Sequence, residues 1–544
     1  MSSLRVIWHY FAQQKLRLIA SSLLAALTVI STVSLLGVSG WLISRAAQMP
    51  PILDLNIAIV AVRTFALLRS VTRYSERLIS HDATFRSLTT LRMALYEKLE
   101  EITPLRLSSY RRGDLVSRVV TDVDEIQNLP LRVVIPLASS VLASLFSIVL
   151  MTWLLPLAGL GLAITLLLSS TVVPWLTTRQ LTHLERQVAE RRGQLSEGLL
   201  EHFSGLTDLI MLNSTQQSLA HIDHVNADLM HIEKANAKGM GSANSLLVML
   251  QGAALVCSVL AATSAVSQGE LSPVTMVVIA LLPLAAFESV MGLPAAMTSL
   301  ARVQGSADRL ADILSQPLQP QGESEVQLPS TSIDVEHVAL RWPQAQEDVV
   351  HNISFTAPPK SKVGIVGASG TGKSTIVNML IKFLAPRAGT YYFGGVDTRD
   401  IPGTQLRSHI VATGHDAHIF ATSIRENLQL ATSEPLNDAA AWEALRQVHL
   451  DSWVQSLPVG LDTVVGENGK TISGGQRQRL LMARMLIRNP DVWVLDEPTE
   501  HLDTTLAHQV MDAIKFRARD SSLIVVSHRA ADVDGSDTII SLER

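Results

Sequence analysis

Gly367-Ala368-Ser369-Gly370-Thr371-Gly372-Lys373-Ser374-Thr375 is the stretch on which the reading of this chain turns. It follows Val363-Gly364-Ile365-Val366, an apolar run of strand length, and leads into Ile376-Val377-Asn378-Met379-Leu380-Ile381, whose apolar spacing is helical. Strand, glycine-rich loop and helix in that order form a phosphate-binding loop. Glycines at 367, 370 and 372 let backbone N–H groups turn inward around phosphate oxygens. Ser369, Thr371 and Thr375 lie along the same wall, and the helix start adds its dipole. Lys373 supplies a point charge near the terminal phosphates, and the Ser374 hydroxyl is suited to holding Mg²⁺.

Working outward, 544 residues allow two to four domains, and an apolar share of 47% is high for a water-soluble chain. The excess is concentrated between residues 16 and 300. Leu18 to Ile43 carries no charge, and further runs of spanning length lie at about 55–79, 131–154, 157–177, 243–266 and 274–298, which makes six expected spans. Residues 4–14, with Trp8 and Tyr10, suit a short interfacial helix. A net charge of −5 with no basic block argues against nucleic acid as a partner. The single cysteine, Cys257, excludes internal disulfides and sits in an apolar run, where a buried small hydrophobe is expected. No removable signal peptide is expected at the N-terminus.

Loops at 46–56, 155–156 and 267–273 hold no Lys or Arg, whereas 82–130 and 178–242 are rich in them. The positive-inside rule therefore places both long loops, both termini and everything after the last span in the cytoplasm of a multi-pass protein of the cell membrane. The long loops have helical patterning, so spans 2 to 5 are expected to continue as helices into the cytosol. From 315 to 331 the periodicity disappears in a Gln- and Pro-containing linker. The expected organisation is an α-helical membrane domain at 1–314, the linker, and an α/β P-loop domain at 332–544. In the last, Ile333-Asp334-Val335, Val338-Ala339-Leu340, Val492-Trp493-Val494-Leu495 and Ser522-Leu523-Ile524-Val525-Val526 read as strands.

Asp496-Glu497 closes the run at 492–495, at the strand edge where an α/β sheet presents its ligand site. Asp496 suits a hold on Mg²⁺, and Glu497 suits polarising an attacking water. Between the loop and this pair stands Ile472-Ser473-Gly474-Gly475-Gln476-Arg477, which resembles the signature of the ABC ATPases. The resemblance covers the whole domain. It implies that Trp342 stacks on adenine, that Thr463-Val464-Val465-Gly466-Glu467 is the exporter-specific loop, that Glu497-Pro498-Thr499-Glu500-His501-Leu502-Asp503 is the D-loop, and that His528 is the switch histidine. It also implies that Ser473, Gly474, Gly475 and Gln476 close on the ATP held by another subunit, so that this chain is half of a transporter that hydrolyses ATP. One departure lies at His415, where the family places a glutamine whose oxygen approaches Mg²⁺. Another is His501, where a small residue is usual. Residues 113–123 and 204–210 resemble the coupling regions of type IV exporters.

The second span carries Arg63, Arg69, Arg73, Glu76, Arg77 and His81, which share an arc of about 140° at 100° per residue. Two physical readings stand side by side: a polar face on a transport pathway, or a helix that has left the bilayer near residue 76. Residues 73–86 resemble the heterodimeric exporters needed for cytochrome bd assembly, a family linked to haem and to export of cysteine and glutathione. That resemblance implies a homologous partner half, haem or a small thiol as ligand, and His81 as an axial ligand to haem b iron with Arg77 on a propionate. A lipid or drug exporter suits the spans and ATPase motifs equally, and a haem-sensing ATPase that moves nothing is a third reading.

Overall fold

The computed structural model describes residues 2–102, 115–116, 118–316, 325–343, 345–414, 417–466 and 472–542. These group into a helical unit whose last residue is Gln316 and an α/β unit that takes up the described chain from 325.

The helical unit opens with α1 (Ser2–Ala12), followed by α2 (Lys15–Ala46) and α3 (Ile52–Glu101). Irregular turns from Arg118 to Val134 lead into α4 (Ile135–Leu154). Then come α5 (Pro156–Ser204), α6 (Thr215–Ser267), α7 (Pro273–Ala286) and α8 (Leu293–Leu314). Proline opens α5 and α7, where its missing N–H costs no hydrogen bond. The continuation of spans as long helices is seen in α3, α5 and α6, of 50, 49 and 53 residues.

Among the described residues, five helical stretches are long and apolar enough to cross a membrane. The sixth expected span is α3, whose arginines lower its hydropathy although its length is ample. Hydroxyls inside α2 donate to carbonyls one turn back, as from Ser21 to Arg17 (2.9 Å) and Ser31 to Leu27 (2.7 Å), which satisfies them without water. Val33, Met151, Leu162, Leu247, Ile279, Leu282 and Phe287 form the buried cluster between the helices, while Leu145, Trp153 and Leu167 face outward. Cys257 also faces outward, contrary to its expected burial. In a bilayer the outer surface of a span is itself apolar, so an apolar run does not predict which side is the core.

The run expected as one span at 274–298 is broken. α7 ends at Ala286, a 3₁₀ turn occupies Phe287–Ser289, and α8 begins at Leu293. Pro294 has no N–H for the carbonyl four residues back, and Gly292 precedes the new helix, so a continuous helix would be weak here.

Of the first coupling region, Gly113, Asp114 and Ser117 lie outside the described residues. Its end is anchored on α8: Asp122, almost fully buried, accepts from Ser306 Oγ at 2.9 Å and from Arg309 Nε at 2.8 Å and Nη2 at 2.5 Å. The second region forms a short helix, Leu206–Met211, after Gly205.

In the α/β unit, β1 (Ile333–Leu340), β2 (Val350–Ala357), β4 (Ala388–Phe393) and β5 (Val396–Asp397) make an antiparallel sheet in the order β2-β1-β4-β5. The two strands expected in 333–340 are one strand, bulged where His337 takes φ +49°. The second sheet is parallel, in the order β6-β7-β8-β3-β9, with β3 at Lys362–Gly367, β6 at Ile410–Thr413, β7 at Val492–Asp496, β8 at Ser522–Ser527 and β9 at Thr538–Leu542. β7 and β8 are buried along their whole length, as their unbroken apolar runs require.

Asp122→Ala is expected to lower stability by about 2 kcal/mol, since it strands the Ser306 and Arg309 donors beside a half-exposed guanidinium. Asp122→Asn, which keeps one acceptor, is expected to cost less. Thermal unfolding in detergent checks both.

Candidate nucleotide site

β3 ends at Gly367, and the loop that follows reaches α9 (Lys373–Leu380) through Gly372 at φ +92°. A Cβ at 372 would sit 2.5 Å from Val350 Cγ2, so both the backbone angle and the space require glycine. Lys373, buried to 6% exposure, folds its ammonium back over the loop and donates to the Gly367 and Ala368 carbonyls at 3.0 Å each. Thr371 Oγ1 closes the loop onto the Ala368 carbonyl at 2.9 Å. Ser374 is exposed at the start of α9, and Asp496 is buried at the end of β7. Both offer hard oxygen donors, which fits Mg²⁺ in chemical type.

Glu497 takes φ +50° immediately after β7, with its N–H donating to the Val526 carbonyl at 2.8 Å. That left-handed turn carries strain in a non-glycine residue and directs the carboxylate toward the loop. Its Oε1 lies 3.6 Å from Lys373 Nζ and 3.3 Å from His528 Nδ1. Three residues far apart in the sequence thus converge, from the ends of β3, β7 and β8. Trp342 Nε1 donates to Thr375 Oγ1 at 3.2 Å, which places the expected adenine platform against the first turn of α9. A cleft of about 990 Å³ borders the loop at Gly370 and Thr371 and runs between β2 and β9.

The signature begins α10 (Gly474–Arg488). Ser473 caps it, accepting from the Gln476 N–H at 3.2 Å while the Gln476 side chain accepts from the Ser473 N–H at 2.8 Å. Its glycines admit the D-loop: a Cβ at Gly475 would stand 3.0 Å from the His501 carbonyl oxygen. Ser473 and Gly474 face solvent, and among the described residues no hydrogen bond or ion pair joins 473–476 to 367–375.

His415 lies outside the described residues. The chain beyond it is held by Arg484, which donates to the His418 and Asn427 carbonyls at 2.7 Å each; burial pulls this guanidinium down to about 10. Thr463 and Val465 of the exporter-specific loop bond Ile424 and Thr422, and Glu467 is not among the described residues. His81 and Arg77 share an exposed face of α3, with His81 beside Phe85 at 5.8 Å between ring centroids. No group of three or more metal-binding side chains occurs among the described residues, and this chain alone does not enclose His81 as a haem pocket would.

Sequence reasoning missed the support beneath the D-loop. Asp532, buried, accepts from Thr499 Oγ1 at 2.7 and 2.8 Å and from Ser527 Oγ at 2.6 Å, while Arg529 donates to the Thr499 carbonyl at 3.1 Å. Only the closeness of Asp532 to His528 in the sequence could have drawn attention to it.

The ABC transporter transmembrane region family matches residues 16–290, and the ABC transporter family matches 350–500. The chain belongs to the ABC transporters. It is a multi-pass membrane protein that binds ATP and couples its hydrolysis to transport. Its fold is that of an exporter: a bacterial Atm1-family ABC exporter solved with ATP bound superposes with a TM-score of 0.85 at 20% identity, covering 98% of this chain and 94% of the other. Among curated relatives, the glutathione/L-cysteine transport system ATP-binding/permease protein CydC of Escherichia coli (strain K12) is 28% identical over 98% of this chain and 94% of its own. CydD of the same-named system in Bacillus subtilis (strain 168) is 27% identical over 96% and 91%. An ATP-dependent lipid A-core flippase of Photobacterium profundum is 24% identical over 83% and 77%.

Asp532→Ala is expected to destabilise the α/β unit by about 2–3 kcal/mol, because two buried hydroxyls lose their acceptor. It should also slow ATP hydrolysis by loosening Thr499, two residues from Glu497. Unfolding midpoints and steady-state ATPase rates check the pair of effects.

Proposed function

We propose that the chain is one half of a heterodimeric exporter of cysteine- or glutathione-type thiols that serves cytochrome bd assembly, with both termini and the ATPase unit in the cytoplasm. The observation that carries it is the similarity to CydC along 98% of the chain, at higher identity and coverage than the lipid A-core flippase. The solvent-facing signature supports the two-chain arrangement, since Ser473–Gln476 leaves its own phosphate loop unserved.

In this reading ATP lies along Gly367 to Thr375 with adenine on Trp342; Ser374 and Asp496 would hold Mg²⁺, which would supply neutralisation of phosphate charge. Lys373 exchanges its carbonyl partners and Glu497 for the terminal phosphates. Glu497, released, orients and polarises the attacking water, and His528 holds that carboxylate and the γ-phosphate in register. The partner's signature then completes the site. A haem role gains no support from His81 and Arg77, which are exposed, and no step is assigned to haem.

Lys373→Ala is expected to abolish ATP use at this loop. Glu497→Gln is expected to keep ATP binding and slow hydrolysis by about 100-fold or more in a complex whose other site is disabled. The chain alone should show under about one-tenth of the ATPase rate of the co-expressed pair, because its signature has no partner loop. Uptake of labelled cysteine and glutathione into inverted proteoliposomes, beside a fluorescent-lipid flip assay, tests the substrate: lipid movement without thiol uptake would overturn the thiol reading.

A further inference from the structure

The arginine face of α3 meets the break in the last span. Arg69 Nη2 lies 3.5 Å from Glu288 Oε1, and Glu288 sits on the 3₁₀ turn between α7 and α8. It is the sole acidic residue between Glu270 and Asp308. Arg69 is 17 residues into α3 and Glu288 is 15 into the last span, so at 1.5 Å per residue they lie about 25 and 22 Å from the ends joined by charge-poor loops. Against a hydrocarbon core of about 30 Å, both charges are at membrane depth. There an isolated charge is costly, so the two hold each other neutral.

Three further polar contacts gather at the break. Gln251 of α6 donates to the Leu284 carbonyl at 3.3 Å, Ser289 Oγ donates to the Ala286 carbonyl at 2.6 Å, and the Ser144 and Ser289 hydroxyls lie 3.1 Å apart. A discontinuous span with an ionisable residue at its interruption is how membrane transporters expose polar groups to a solute. The Arg69 and Glu288 side chains remain 36% and 44% exposed within this chain, so a ligand can reach both.

We propose that Arg69 and Glu288 recognise the zwitterionic α-amino acid group of the transported thiol, a deepening that rests on the thiol reading above. The α-carboxylate takes the Arg69 guanidinium and the α-ammonium takes the Glu288 carboxylate. The exchange is isoelectric: one internal ion pair is replaced by two pairs, and no charge is left bare in a low-dielectric setting. A solute that carries only anionic groups, such as a lipid phosphate or a haem propionate, would satisfy Arg69 and leave Glu288 facing a like charge. The pair therefore selects against those solutes as well as for amino acids.

The test uses the reconstituted complex of this chain with its partner half, and three probes: L-cysteine, cysteamine, which lacks the carboxylate, and 3-mercaptopropionate, which lacks the ammonium. In the wild type, cysteine is expected to be transported with a KM at least about tenfold below either truncated probe, the loss of one charge-assisted contact. Glu288→Gln should raise the KM for cysteine about tenfold and lower that for 3-mercaptopropionate, whose carboxylate no longer meets a like charge; Arg69→Gln should likewise raise the KM for cysteine about tenfold and lower that for cysteamine. The exchange Arg69→Glu with Glu288→Arg keeps the ion pair, and so controls for assembly; it should retain discrimination against both truncated probes. Equal KM values for the three probes in the wild type, or single variants that shift all three alike, would overturn the assignment in favour of a purely structural ion pair. Absence of transport of every thiol would instead remove the thiol reading on which it rests.

Discussion

The register of three parallel strands governs the chemistry of this protein. Val366 of β3 pairs with Ser527 of β8, and Asp496 of β7 pairs with Val526 of the same strand, so the three strands end at one level. The residues immediately beyond are the phosphate loop, Glu497 and His528. A slip of one residue in any strand would turn a functional side chain to the wrong face, since side chains alternate along a strand. The buried apolar runs on both sides of β7 and β8 forbid that slip energetically, and in this way the core sets the geometry of the site.

The charged groups at these strand ends neutralise one another. Lys373 is held by two carbonyls and Glu497, and Glu497 by Lys373 and His528. A buried ammonium without such partners would be expensive. In the proposed mechanism the same contacts are those that a terminal phosphate and a water displace, so that binding trades one set of compensated charges for another. The Arg69–Glu288 pair in the helical unit follows the same logic: opposite charges at membrane depth satisfy each other until a solute offers better partners.

The two units meet different solvents. In the α/β unit apolar runs lie inside, and their burial in sheets gives sequence patterning a direct structural meaning. In the helical unit apolar residues face both the interior cluster and the outer surface, and hydroxylated side chains add interior contacts, as the Thr28–Thr72 link between α2 and α3 illustrates at 2.8 Å. That difference accounts for Cys257, placed correctly in a span and on the wrong side of it.

By itself the sequence determined what local pattern and spacing can carry. The phosphate loop is legible because glycines, lysine and the flanking strand and helix are contiguous, and the spans are legible because the bilayer demands length and apolarity. The strand assignments at 492 and 522 follow from unbroken apolar runs of strand length, rich in Val and Ile. Tertiary structure alone decided what depends on partners remote in sequence. It set Glu497 in a left-handed turn between Lys373 and His528, and placed Asp532 beneath the D-loop. It also merged the two pieces of β1 across a bulge and brought Glu288 at a helix break within reach of Arg69. Each of these is a contact between groups that no periodicity relates, stabilised only once the strands and helices bearing them have packed.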